Sequence, residues 1–121
     1  MQERLDKALD EAWSKLNAAL EGASGSPEDS KRSVWLAAEA VEYASLVFNL
    51  TYGLDDLDPV VKIKRGEDPL VLLKDSYESL KTARELREKS ATDAYVNLRT
   101  AADKLKAAYL KKADQIRKRS G

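Results

Sequence analysis

Apolar residues recur along most of this chain at steps of three and four. From Gln2 to Glu21 they fall at Leu5, Ala8, Leu9, Ala12, Trp13, Leu16, Ala19 and Leu20, the spacing that lines one face of a helix. A helix over 2–21 follows, with Gly22 as its left-handed stop and with Glu3–Lys7 and Glu11–Lys15 as i,i+4 ion pairs on the wet side. Ser26-Pro27-Glu28-Asp29 reads as a second helix start: a hydroxyl to cap the first free amides, a proline whose missing N–H costs nothing there, and acids that meet the positive end of the helix dipole. The helix it opens, over 27–52, is apolar around nearly its whole circumference, a pattern of helices central in a core or in a membrane. Glu39 and Glu42 near its middle argue against hydrocarbon, where each acid costs several kcal/mol. The expectation is a central helix, covered by its neighbours or in part by a second copy of the chain.

Asp68-Pro69 repeats the cap-and-proline start. Leu70, Leu73, Tyr77, Leu80, Ala83 and Leu86 mark the inner face of a third helix over 69–89. Ser90-Ala91-Thr92-Asp93 then offers another capping box, so the chain breaks between Lys89 and Thr92 and a fourth helix runs over 92–118. Ala91, Tyr95, Leu98, Ala102, Leu105, Tyr109 and Ile116 recur on it every three or four residues, interrupted by Lys112. That repeat is a packing seam, and its alanines and tyrosines suit a bundle better than a free two-stranded coil. Between the second and third helices lies one long connection, 54–68, expected to wrap over the end of the bundle with Val60, Val61 and Ile63 tucked in. The predicted architecture is an all-α, antiparallel four-helix bundle, one domain over 1–121.

Composition narrows the chemistry. The chain has no cysteine and no histidine, which removes disulfides, the usual zinc sites, thiol nucleophiles and imidazole acids or bases. Carboxylate, lysine and tyrosine chemistry remain. The start, Met1-Gln2-Glu3-Arg4, has neither the positive charge nor the apolar run of an export signal, so the expected location is cytoplasmic. A 35% charged fraction with a single methionine leans toward the composition of heat-stable proteins, which favour ion-pair networks. The net charge of zero hides a split: residues 1–60 carry five basic side chains against twelve acidic ones, and residues 61–121 sixteen against nine. Such a split marks either a contact with a charged partner or oppositely charged helices meeting inside one bundle.

Three sets of residues are candidates for function. Trp35, Val47, Phe48 and Tyr52 are the candidates for surplus apolar surface on the second helix, which would serve a homodimer or a complex with another helical protein. Glu39-x-x-Glu42 and Asp75-x-x-Glu78 place paired carboxylates one turn apart on two helices, where four acids could hold Mg²⁺, a cation that takes oxygen ligands. These four positions resemble the acidic motifs of the all-α nucleotide pyrophosphatases, and the resemblance implies a magnesium-dependent nucleotide hydrolase. The doubled glutamate of that family is absent, since Ala38 and Ala40 flank Glu39. The competing reading pairs these acids with arginines across the bundle. Lys104, Lys111 and Lys118 share one face of the fourth helix and, with Lys62, Lys64 and Arg65, could meet phosphates. The acidic first half of the chain argues against a nucleic-acid partner. The leading expectation is a non-enzymatic bundle that associates with itself or with another helical protein, without a cofactor and away from any membrane.

Overall fold

A computed structural model describes residues 2–64 and 66–120 and shows an all-α four-helix bundle: α1 (Gln2–Glu21), α2 (Pro27–Tyr52), α3 (Pro69–Leu86) and α4 (Ala91–Ser120). The predicted caps close as the sequence implies. Ser26 Oγ accepts from the amide of Asp29 at 3.3 Å, Asp68 Oδ1 from Leu70 at 2.8 Å, and Ser90 Oγ from Asp93 at 3.3 Å. The break between the last two helices falls slightly earlier than expected, because α3 ends at Leu86 and a turn over 87–89 leads to the Ser90 cap. Gly22 does not take the left-handed conformation; it opens a short 3-10 turn, Gly22–Ser24, that carries the chain from α1 to α2. The left-handed stop belongs to Gly53, at φ 65°, whose amide and that of Leu54 both return to the carbonyl of Asn49.

Each helix packs on two others. α1 lies against α2 and α3, and α4 against α2 and α3, while α1/α4 and α2/α3 face each other across the diagonals. Side-chain pairs fix the directions. Trp35 meets Tyr109 and Asn49 meets Tyr95, so α2 and α4 run antiparallel; Trp13 meets Tyr77 and Asp10 meets Arg84, so α1 and α3 do too. α3 and α4 are antiparallel across their short turn, with Lys104 reaching back to Asp75. It follows that α2 and α3 run in the same direction, and the chain must return along the length of the bundle between them. An 18-residue helix is about 27 Å long, and that is the distance the connection 54–68 covers.

The connection is therefore a strap along the bundle rather than a cap over its end. From Leu57 to Lys64 it contains no turn or bend, and its burial alternates residue by residue: Leu57, Pro59, Val61 and Ile63 are half-buried, while Asp58, Val60, Lys62 and Lys64 are exposed. Ile63 and Leu57, with Leu54, pack against the core, whereas Val60 is 86% exposed and not tucked in. Alternation with period two is the mark of extended backbone. Downstream, Lys111 of α4 pins the strap by donating to the carbonyl of Glu67.

The core is rich in alanine. Ala8, Ala12, Ala37, Ala44, Ala101 and Ala108 are buried between leucines such as Leu16, Leu72, Leu80 and Leu98, and small side chains let helix axes approach toward the short end of the 8–10 Å range. On α3 the expected inner positions Leu73, Leu80 and Ala83 are buried and Tyr77 and Leu86 pack against the core, while Leu70 is exposed and Pro69, Leu72 and Ser76 are buried besides. Buried Ser76 fits because its hydroxyl donates to the carbonyl of Leu72 at 2.7 Å. No helix among the described residues is long and apolar enough to cross a membrane.

Candidate functional site

The helix expected to be central occupies a corner. Among the described residues α2 packs chiefly on α1 and α4, with the turn Gly22–Ser24 at its start, and part of its apolar girth that points away from both helices is exposed. Leu36, Tyr43, Leu46 and Leu50 are 39, 52, 56 and 60% exposed. Their spacing of seven, three and four residues puts them in one line, with exposed Glu39 completing the repeat. The line is about 21 Å long at the helical rise.

The apolar candidates named from sequence divide. Val47 and Phe48 are buried, Phe48 against the rings of Tyr52 (4.6 Å between centroids) and Tyr95 (6.4 Å). They belong to the core and offer nothing to a partner. Tyr52 is half-buried, and its hydroxyl accepts from Arg87 Nε at 3.3 Å. Trp35 is exposed on one side, while its ring lies 5.0 Å from that of Tyr109. The residues that do form an open face, Leu36, Tyr43, Leu46 and Leu50, were hidden in the sequence by the richness of the helix. Where apolar residues occur on every side, periodicity cannot say which side a neighbour covers. The heptad positions 36, 43 and 50 were the available signal.

The four carboxylates do not converge. Glu39 and Glu42 are on α2 and Asp75 and Glu78 on α3, helices that face each other across a diagonal with the core between them. Glu39 and Glu78 are exposed. Glu42 receives Arg99 at 3.1 Å on one oxygen and Lys106 at 2.9 Å on the other, and Asp75 receives Lys104 at 3.3 Å. Burial alone would raise the Glu42 carboxyl, but its bonds to Lys106 and Arg99 outweigh that and hold it below its usual value. Among the described residues no group of three or more acidic side chains is placed to hold a metal ion. Arg99 is itself buttressed by Asp103, at 3.4 Å, and the Ser45 hydroxyl. Desolvation would lower its pKa, but the carboxylates of Glu42 and Asp103 outweigh it and lift the value above the ordinary one.

The lysine row is likewise engaged. Lys104 holds Asp75, Lys111 holds the strap, and Lys118 lies 3.8 Å from Asp114, which also meets Arg117. Lys62 and Lys64 are exposed on the strap. Arg65 lies outside the described residues, as does the side chain of Arg119. Between α1 and α3, Asp6 and Asp10 receive Arg87 and Arg84, and Arg84 also lies 5.0 Å over the Trp13 ring. The i,i+4 pairs expected on α1 are not among these contacts; its acids Asp6 and Asp10 reach across to α3 instead. Part of the split of charge along the sequence is met within the bundle, where Asp6, Asp10 and Glu42 of the first half pair with Arg87, Arg84, Arg99 and Lys106 of the second.

Comparison of the chain with protein-family models, with curated protein sequences and with solved structures finds no match.

Proposed function

We propose that this protein is a non-enzymatic helical bundle that works by association, and that its partner is a second copy of itself. The observation that carries the reading is the line Leu36, Tyr43, Leu46 and Leu50, an apolar stripe in heptad register on the outward face of α2. Large apolar side chains exposed singly need no explanation, whereas four of them in one line on one helix face are a candidate contact surface. Heptad spacing favours another helix as the thing that covers it, and two-fold pairs, the commonest oligomers, use the same patch on both subunits. Of the candidate polar residues, Glu42, Asp75, Lys104 and Lys111 are already engaged inside the bundle. A cysteine-free chain suits a reducing, cytoplasmic setting, and the interhelical ion pairs are of the kind that favour heat stability.

The test is the mass of the particle in solution across a range of concentrations, by light scattering behind a sizing column. The wild type should run at twice the mass of one chain, and Leu46→Glu with Leu50→Glu should shift it to a monomer of unchanged helical content. A strict monomer at millimolar concentration overturns the reading.

A further inference from the structure

The apolar stripe is short for the work asked of it. A line about 21 Å long and one helix diameter wide, about 10 Å, covers on the order of 200 Å², whereas a standard interface takes about 800 Å² from each partner. A contact of standard size needs a second element beside it, and the strap offers one with two unusual properties.

Its backbone is unpaired. From Asp58 to Lys64 no amide or carbonyl makes a backbone hydrogen bond within the chain among the described residues, although the segment is extended and rich in β-branched residues, Val60, Val61 and Ile63. In extended backbone, the N–H and C=O of successive residues point to alternate sides. One edge is therefore served by residues 58, 60, 62 and 64 and the other by 59, 61 and 63. The second edge lacks a donor at Pro59; the first is complete.

Its side chains are self-complementary. Let the complete edge pair antiparallel with its own copy about a two-fold axis through Val61. Asp58 then stands opposite the second copy's Lys64, Val60 opposite its Lys62, and Pro59 opposite its Ile63. Each Lys62 has the other copy's Asp58 on one diagonal, within reach of a long side chain, and the other copy's Lys62 on the second. Pro59 falls in a non-hydrogen-bonded pair, where its missing N–H is not required. Asp58, Lys62 and Lys64 have no ion-pair partner within the chain among the described residues, so these charges are free to be used this way. The alternation already present, apolar toward the bundle and charged outward, is that of a sheet lying on a core.

We infer that two copies join through their straps, Asp58 to Lys64 forming a two-stranded antiparallel ribbon across the dimer. The inference rests on self-association as proposed above and assigns it a second contact. A lone hairpin-sized ribbon is marginal in water, but one packed on helices has the support it needs. Strand addition at an open edge takes affinity from main-chain bonds and specificity from the alternate side chains.

Charge reversal with rescue tests it. In sedimentation experiments on the full chain, Asp58→Lys and Lys64→Asp should each weaken the dimer about tenfold, since each change spoils two symmetry-related pairs and sets like charges opposite. The double variant should return to within about twofold of the wild type. Amide exchange followed by NMR should show Val60 and Lys62 protected in the dimer and the amides of Val61 and Ile63 exchanging faster. A dimer indifferent to both single changes, or weakened by them and not restored in the double variant, overturns the ribbon and leaves the apolar stripe as the basis of association. A wild type that stays monomeric overturns both.

Discussion

Glu42 shows how a carboxylate that looks like a metal ligand in sequence becomes part of an ion-pair cluster in the fold. It lies in the groove between α2 and α4, held by Arg99 and Lys106. Because its pKa in the folded chain is lowered from 4.5, the pair stabilises the native state fully above the unfolded value, and that contribution is lost as pH falls through the folded value. Glu42→Gln should therefore reduce stability at neutral pH and flatten its dependence on pH below about 4.5; denaturant titrations at pH 7 and pH 3 give the comparison. A steeper acid loss in the variant would contradict the assignment. Ala101 tests the other feature of the residue scale, the close approach of α3 and α4. It is fully buried, and its carbonyl lies 3.3 Å from the Ser76 hydroxyl. Ala101→Leu should cost about 1–3 kcal/mol, the usual penalty of overpacking, measured by urea unfolding. A neutral result would mean the helices are less tightly apposed.

At the scale of elements, the helices and their starts were legible because their causes are local. A hydroxyl or carboxylate before a proline or a polar turn fixes the first amides whatever the rest of the chain does, and Ser26, Asp68 and Ser90 all act as the sequence implies. The stops were harder. Gly22 and Gly53 look alike in sequence, but only Gly53 is left-handed, because α1 must turn straight into α2 whereas α2 hands over to the strap. At Gly53 a Cβ would meet nothing within 4 Å, so a substitution there is opposed by backbone conformation alone. Gly53→Ala should lose about 1 kcal/mol, with Gly53→Asn losing less, in thermal or denaturant unfolding; an alanine variant as stable as the wild type would remove the left-handed stop. What the sequence could not disclose was adjacency. The burial of Leu72 and Ser76 on α3, the corner position of α2 and the distance between the two acid pairs all depend on which helices are neighbours. That order is set by the direction of a 15-residue link rather than by any motif. The link itself was readable in one respect: the alternation Leu57, Pro59, Val61 and Ile63 with Asp58, Val60, Lys62 and Lys64 is a strand pattern, overlooked when the segment is treated as a loop.

For the whole molecule, the strap divides the fold into two helical hairpins, α1–α2 and α3–α4, whose contacts with each other are the α1–α3 and α2–α4 interfaces. The ion pairs Asp6–Arg87, Asp10–Arg84, Glu42–Arg99 and Glu42–Lys106 all cross between them, with the acid on the first hairpin every time. The charge split along the chain is thus a property of the assembly of two halves. Each half leaves apolar faces without cover when alone, and two-helix units of this size are marginal by themselves. Severing the backbone between Val60 and Val61 breaks none of the hydrogen bonds described for the native state. Fragments 1–60 and 61–121 should therefore be poorly helical apart and recover the bundle when mixed, as followed by circular dichroism. Their opposite charges should steer the encounter, so that the association rate falls steeply as salt is raised, by about tenfold or more between low and physiological ionic strength, while the dissociation rate changes little. Recovery at a rate indifferent to salt would separate the charge split from assembly and leave the ion pairs as local contacts only. Failure of the fragments to combine would show that the strap's continuity, and not only its packing, is needed to bring α2 and α3 into the same direction.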